Sequence, residues 1–289
     1  MPSKPSVTVL GAGALGAAMA SRLGETGHVV RLWNRTAQRS RAVADQAAGI
    51  QAVESLSEAV SGASVVITVL RDGDAVAEVM NEALSSFDEG AVWVQASTIG
   101  PLFARQLAEL AHENDISYLD APVSGSTVPA RQGKLVWLVA GENEAIARVR
   151  PVLDAVASSV LHVGPGVEAS SLKLAINAWM TAATVAISDV FGLCDALGID
   201  HAIFAEALEA GPLVMPYALQ KGRLMDARTF EPGFAAQLAL KDLDLARTTA
   251  GLSPLLQVVR DRLERTVQAG HGGDDLAALD LVRGEAGGS

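Results

Sequence analysis

The hydrophobic positions change rhythm once along the chain. In the first half, short apolar runs over 7–10, 29–33, 65–70, 92–95, 117–119 and 135–139 predict strands. Between them, apolar residues recur at helical spacing over 15–26, 74–84 and 101–114, and again over 144–157 after the last strand. Strand–helix alternation of this kind predicts a parallel sheet with helices on both faces.

After Val163 the alternation stops. One helical pattern runs over 168–197 with no proline and with no glycine before Gly192, which a helix tolerates at modest cost. Helical patterns follow at 202–209, 215–223, 235–250, 254–269 and 275–282, with no strand signal among them. Gly164-Pro165-Gly166 marks the boundary between 1–164 and an all-helical domain over 165–289, joined by the long helix. That helix would run roughly 45 Å at 1.5 Å per residue. One small helical domain rich in Ala and Leu cannot cover it all, so a homodimer joined through helical domains is expected. The short tail over 285–289 reads as frayed.

Composition narrows the classes of function. Of 289 residues, 49% are hydrophobic and 19% charged, enough apolar material for sizeable cores. A net charge of -11 argues against a nucleic-acid partner. The one cysteine, Cys194, permits no internal disulfide, lies in an apolar helical stretch and reads as a small buried hydrophobe. The N-terminal Met-Pro-Ser-Lys-Pro leads into a strand rather than a signal peptide. The most apolar helical stretch, 174–188, is short for a bilayer and carries Asn177. A cytoplasmic protein with no membrane partner is expected.

Gly11-Ala12-Gly13-Ala14-Leu15-Gly16 follows the first strand and opens the first helix. The first glycine makes the tight turn, the second lets backbone approach a pyrophosphate, and the third allows close helix–strand packing. The helix N-terminus then offers N–H groups and its dipole to the phosphates. In strand–turn–helix context this predicts dinucleotide binding by the first domain. At the end of the second strand, where an NAD site places Asp or Glu, the chain has Asn34-Arg35-Thr36. Arg35 can pair with a 2′-phosphate and Thr36 can donate to it, which favours NADP; the alternative makes Arg35 a solvated loop charge.

Three further segments carry polar residues. Asp120-Ala121-Pro122-Val123-Ser124-Gly125-Ser126 follows the fifth strand, at the end of an α/β sheet where ligands sit. Ser124 and nearby backbone N–H groups could hold a carboxylate, or form an ordinary polar turn. Lys173 and Asn177 lie one turn apart on an otherwise apolar helix, where a lysine snorkels or has a function. Lys241-Asp242-Leu243-Asp244-Leu245-Ala246 falls in a later helix, where a solvated charged face is the plain alternative.

Taken together, and with Ser97-Thr98 after the fourth strand, these segments resemble the β-hydroxyacid dehydrogenase family, which includes 3-hydroxyisobutyrate dehydrogenases and semialdehyde reductases. The resemblance runs in order along nearly the whole chain. It implies that Gly11, Gly13, Ala14, Leu15 and Gly16, with Asn34, Arg35, Thr36 and Leu70, hold the cofactor, and that Thr98 lies beside the nicotinamide. It implies substrate carboxylate binding at Ser124, Gly125 and Ser126, and Lys173 as catalytic acid/base. Asn177 would orient the substrate and Lys241 would close over the cofactor. The chain departs from the family at Ser126, Val167 and Ala169, where glycines are usual, and at Gln95-Ala96 and Arg71.

The implied reaction is NADP-dependent interconversion of a small 3-hydroxy acid, or related hydroxy acid, with its semialdehyde or keto acid. Two alternatives remain: an NADPH-dependent imine reductase on the same fold, and a non-catalytic NADP-binding scaffold. Imine reductases usually carry another residue where Lys173 stands. No His-Glu-x-x-His or paired Cys/His spacing predicts a metal, and no Gly-x-Ser-x-Gly predicts a serine hydrolase.

Overall fold

The structure, a computed structural model, describes residues 4–284; the tail over 285–289 lies outside the described residues. They divide into two compact units that meet in sequence at Lys173 and Leu174.

In the first unit, strands β1 (Val7–Leu10), β2 (Val30–Trp33), β3 (Ile50–Val53), β4 (Val65–Thr68), β5 (Val92–Gln95) and β6 (Ser117–Asp120) run parallel in the order β3-β2-β1-β4-β5-β6. Residues β1, β4 and β5 are buried throughout, as strands covered on both faces must be. Alternate residues feed two separate cores: Val7, Val9, Val65, Ile67, Val92 and Val94 in one, Leu10, Val66 and Trp93 in the other. The first core packs against α1 (Ala14–Glu25) and α7 (Asn143–Val156). The second packs against α3 (Leu56–Val60), α4 (Gly73–Ala83) and α5 (Gly100–Glu113).

Past β6 the direction changes. Strand β8 (Leu135–Ala140) runs antiparallel to β6 and to the two-residue β7 (Val123–Ser124), while β9 (Ala157–Gly164) pairs parallel with β8. The sequence pattern did not reveal β9, which begins where α7 ends, because an edge strand has few fully buried positions. It also missed α2 (Ala37–Ala44), β3, α3, β7 and α6 (Thr127–Arg131). These are short or largely exposed, so hydrophobic rhythm is weak in them.

Helix α8 (Glu168–Leu197) carries the chain from one unit into the other. By length and composition alone this helix could cross a membrane; it is longer than the apolar stretch over 174–188, expected from the sequence to be short for a bilayer. In the second unit its Val185, Ile187 and Phe191 join a helical core with α10 (Pro216–Ala227), α11 (Ala236–Ala250) and α12 (Pro254–Thr266). Helix α9 (His201–Glu209) has no fully buried residue. The helix expected over 254–269 stops at Thr266, passes through a π turn and bends at Gly270, where φ is 93°. The stretch expected as a helix over 275–282 is a 3-10 helix, Leu276–Val282. Asp275 starts it and bonds Lys221 at 2.6 Å, a buried ion pair that also accepts from the backbone of Gly233 and Phe234.

Candidate active site

The glycine loop follows from steric necessity. Gly11 has φ +121°, and a Cβ there would sit 2.2 Å from the Val69 carbonyl oxygen. A Cβ on Gly16 would sit 2.0 Å from the Gly11 carbonyl oxygen, so α1 can approach β1 only with glycine in that place. Gly13 is different: a Cβ there would meet nothing within 4 Å. This residue caps α1, and the N–H groups of Ala14, Leu15 and Gly16 have no carbonyl of their own helix to bond. Open space before a helix N-terminus fits a dinucleotide pyrophosphate.

Asn34 ties this loop to the end of β2. Its Oδ1 accepts from Ala12 N at 3.1 Å and its Nδ2 donates to Thr36 O at 3.0 Å. The amide is thus occupied by backbone, and no carboxylate stands at the ribose position. Arg35 projects into solvent, 77% exposed, 3.7 Å from Glu78 of α4. Thr36 precedes α2 as its N-cap residue, with no side-chain cap bond.

The turn after β5 is held from within. Gln95 receives Ser97 N on Oε1 and donates from Nε2 to Ser97 O, both at 2.8 Å. Ser97 Oγ in turn accepts from Leu70 N at 2.8 Å. This pair fixes the two turns that carry Leu70 and Thr98, with Gln95 buried where the family commonly has Asp.

Three of the departures, at Ser126, Val167 and Ala169, prove sterically neutral. Gly125 must be glycine: φ is +122°, and a Cβ would meet Leu135 Cδ2 at 2.8 Å. Ser126 has φ -114°, extended backbone that serine adopts without strain. Val167 packs on the second core and Ala169 is buried, and neither has positive φ. Arg71 is exposed and paired with Asp72 at 2.6 Å.

Along α8 the buried polar residues recur at helical spacing: Ser170, Lys173, Asn177, Thr181, Thr184 and Ser188. Thr181 and Thr184 bond back to carbonyls of their own helix, at 2.8 and 2.9 Å. Near the start, Asp120 at the end of β6 accepts from Ser170 N at 2.7 Å and from Ser170 Oγ at 2.6 Å. Burial pushes the Asp120 carboxyl up to about 6, while the Ser170 bonds pull it back. Lys173 is 9% exposed, so it does not snorkel into water.

In the second unit, Asn177 Nδ2 donates to Asp242 Oδ2 at 2.5 Å. Asp242 is 3% exposed and lies 2.7 Å from Lys241 Nζ through its other oxygen. Asn177 Oδ1 is buried and has no hydrogen-bond partner among the described residues. Asp242 holds the amide in one of its two orientations, with the carbonyl oxygen left without a partner among the described residues. The plain alternative for this stretch, a charged solvent face, does not fit its first two residues: Asp242 is buried, and Lys241 is only 23% exposed.

A family model described as the NAD binding domain of 6-phosphogluconate dehydrogenase matches residues 6–164. A second, described as NAD-binding of NADP-dependent 3-hydroxyisobutyrate dehydrogenase, matches residues 168–282. The chain belongs to the β-hydroxyacid dehydrogenase family. Within it, the NAD-dependent L-serine dehydrogenase of Pseudomonas aeruginosa is 30% identical over 257 residues, covering 86% of each chain. The 3-hydroxyisobutyrate dehydrogenase of Mycobacterium tuberculosis, solved with L-serine, superposes with a TM-score of 0.87 at 27% identity, covering 97% of this chain and 99% of that one. An imine reductase from Myxococcus stipitatus, solved with NADP+, shares the fold at a TM-score of 0.67 and 22% identity, covering 96% and 99%. This member of the family is an NAD(P)-binding oxidoreductase.

Sequence reasoning gave no task to Asp120, Ser170, Gln95 or Asp242. Each works through a partner, and the partners of Asp120 and Asp242 stand 50 and 65 positions away. The one usable signal was a polar residue inside an apolar pattern, which flagged Asn177 but not its partner.

Proposed function

We propose that this protein is an NADP-dependent oxidoreductase that interconverts a small 3-hydroxy acid, or related hydroxy acid, with its semialdehyde or keto acid, and that Lys173 is the acid/base. One observation carries the reading: a buried Asn177 whose carbonyl oxygen is left without a partner, one helical turn from a buried lysine. Such an acceptor suits a substrate group that brings its own hydrogen, and a hydroxyl does. Ser124 and the backbone N–H groups around Gly125 anchor the carboxylate, so binding energy away from the reacting carbon orients it. When bound, the dinucleotide supplies or takes the hydride at that carbon. As hydride reaches the carbonyl carbon, the C=O electron pair moves to oxygen and the Lys173 ammonium gives that oxygen its proton; oxidation is the reverse.

NADP rather than NAD rests on Asn34 and Arg35: Asn34 stands where an NAD site has Asp or Glu for the ribose 2′-hydroxyl, and the exposed Arg35 guanidinium, 3.7 Å from the similarly open Glu78, can turn to a 2′-phosphate. Lysine also argues against imine chemistry. An iminium ion about 4 Å from an ammonium is repelled by on the order of 4 kcal/mol at an effective dielectric of 20. The deciding experiment is NADPH oxidation, and NADP+ reduction, against a panel of semialdehydes, keto acids, hydroxy acids including L-serine and 3-hydroxyisobutyrate, and cyclic imines. Turnover of carboxylated carbonyls or hydroxy acids is expected. Lys173→Ala should lower kcat by about a thousandfold or more while NADPH binds with near-normal affinity. Turnover of imines alone would overturn the reading, and turnover of nothing with intact NADPH binding would favour a scaffold.

The helical unit exposes Trp179, Leu193, Leu197, Ile203, Leu255 and Val258, all six of them 56% to 69% open to solvent. We infer that these faces pair in a homodimer. Light scattering at micromolar concentration should give twice the chain mass; a monomer would refute it.

A further inference from the structure

We propose that Asp120 is a positioning residue for catalysis: its carboxylate fixes the first turn of α8 to the end of β6 and so holds Lys173 in place relative to the Ser124–Gly125 segment. The inference rests on Lys173 acting as the acid/base.

The geometry is specific. Ser170 is the third residue of α8, so its N–H has no carbonyl of its own helix to bond. That donor is met by Asp120 Oδ2, and the Ser170 hydroxyl by Oδ1, at 2.7 and 2.6 Å. Two bonds to one residue fix the turn in rotation as well as in position. Lys173 follows three residues later, on the same side of the helix. Any twist of the first turn therefore moves the lysine.

The other end of the strut is equally firm. Asp120 pairs with Gln95 of β5 and Ala140 of β8, so its backbone belongs to the sheet on both sides. Four residues on, the same segment presents Ser124 and the left-handed Gly125. One short stretch thus reaches the proposed carboxylate anchor through its backbone and the lysine helix through its side chain. Asp120 and Ser170 are 0% and 1% exposed, so water does not compete for the contact.

The choice of residue points the same way. Most helix N-termini are capped by a neighbour in sequence; here the cap comes from 50 positions away. Burial raises the carboxyl to about 6, with Glu168 adding repulsion, so the ionised form is held at a cost to stability.

The test compares Asp120→Ala, Ser170→Ala and Asp120→Asn in the full-length protein. Asparagine can still accept from Ser170 N and donate to the rotated Ser170 Oγ, so it is the conservative variant. Amide hydrogen exchange over 168–174 should quicken about tenfold or more in Asp120→Ala, less in Ser170→Ala, and little in Asp120→Asn. With NADP+ and either L-serine or 3-hydroxyisobutyrate, kcat should fall about 10- to 100-fold in Asp120→Ala, with KM for NADP+ within about threefold. Asp120→Asn should recover most of that loss. The solvent deuterium isotope effect on kcat should rise in Asp120→Ala, because proton delivery becomes slower than other steps. Unchanged exchange over 168–174 would overturn the proposal. So would a kcat loss that merely tracks the folded fraction, with the isotope effect unmoved. If Asp120→Ala does not fold, Ser170→Ala decides by the same measurements. Full activity in Lys173→Ala would instead remove the acid/base reading, while the exchange data would still report on the strut.

Discussion

On the function proposed above, the glycine loop of the first unit and helix α8 would each hold a polar ligand, and they are built in opposite ways. In the loop, function depends on atoms that are missing. Gly11 and Gly16 have no room for a Cβ, Gly13 leaves space open, and the chemistry belongs to the backbone N–H groups of α1. On α8, the proposed function depends on side chains that are buried and therefore need partners: Ser170 bonds Asp120, and Asn177 bonds Asp242. A backbone site is built within a few residues and tolerates almost no other sequence. A side-chain site is assembled from distant elements and shows in the sequence only as scattered polar residues.

Within the loop itself the contrast can be broken first. Gly16→Ala places a Cβ 2.0 Å from a backbone oxygen, so the helix or strand must shift. It should cost about 3 kcal/mol or more in denaturant unfolding. Gly13→Ala meets nothing within 4 Å and should cost less than about 1 kcal/mol, yet weaken NADPH binding about tenfold by filling the approach to the N-terminus of α1. Equal stability losses for the two would show that both glycines serve packing alone.

On α8, Asp242→Ala sharpens the comparison. It leaves the buried Asn177 amide without its acceptor and free to turn over. A loss of about 10- to 100-fold in kcat/KM is expected, from the ~1–3 kcal/mol that an unmet buried donor costs. Retention of full kcat/KM would mean that the amide orientation has no bearing on the substrate.

The smallest effect concerns specificity. Arg35→Ala should raise KM for NADPH about tenfold and leave NADH turnover nearly unchanged, since Arg35 is an exposed charge that ordinary ribose does not need. Equal use of both cofactors by the unaltered protein would remove the argument from Asn34 and Arg35.

Much of this molecule was legible before any fold was known. Hydrophobic period located most strands of the parallel sheet and the full span of α8, because buried strands and long amphipathic helices impose rhythm over many residues. The glycine loop was legible because its constraint is steric and local. Tertiary structure alone decided the antiparallel turn of β8 and the edge strand β9, since pairing direction leaves no mark on hydropathy. It alone showed that Asn34 braces the glycine loop, that Ser126 and Ala169 need no glycine, and that Asp242 is buried. It alone joined Asp120 to Ser170. A sequence displays the polar groups a fold must bury, but only the folded chain determines which of them satisfy one another and which, like the Asn177 carbonyl, are left without a partner.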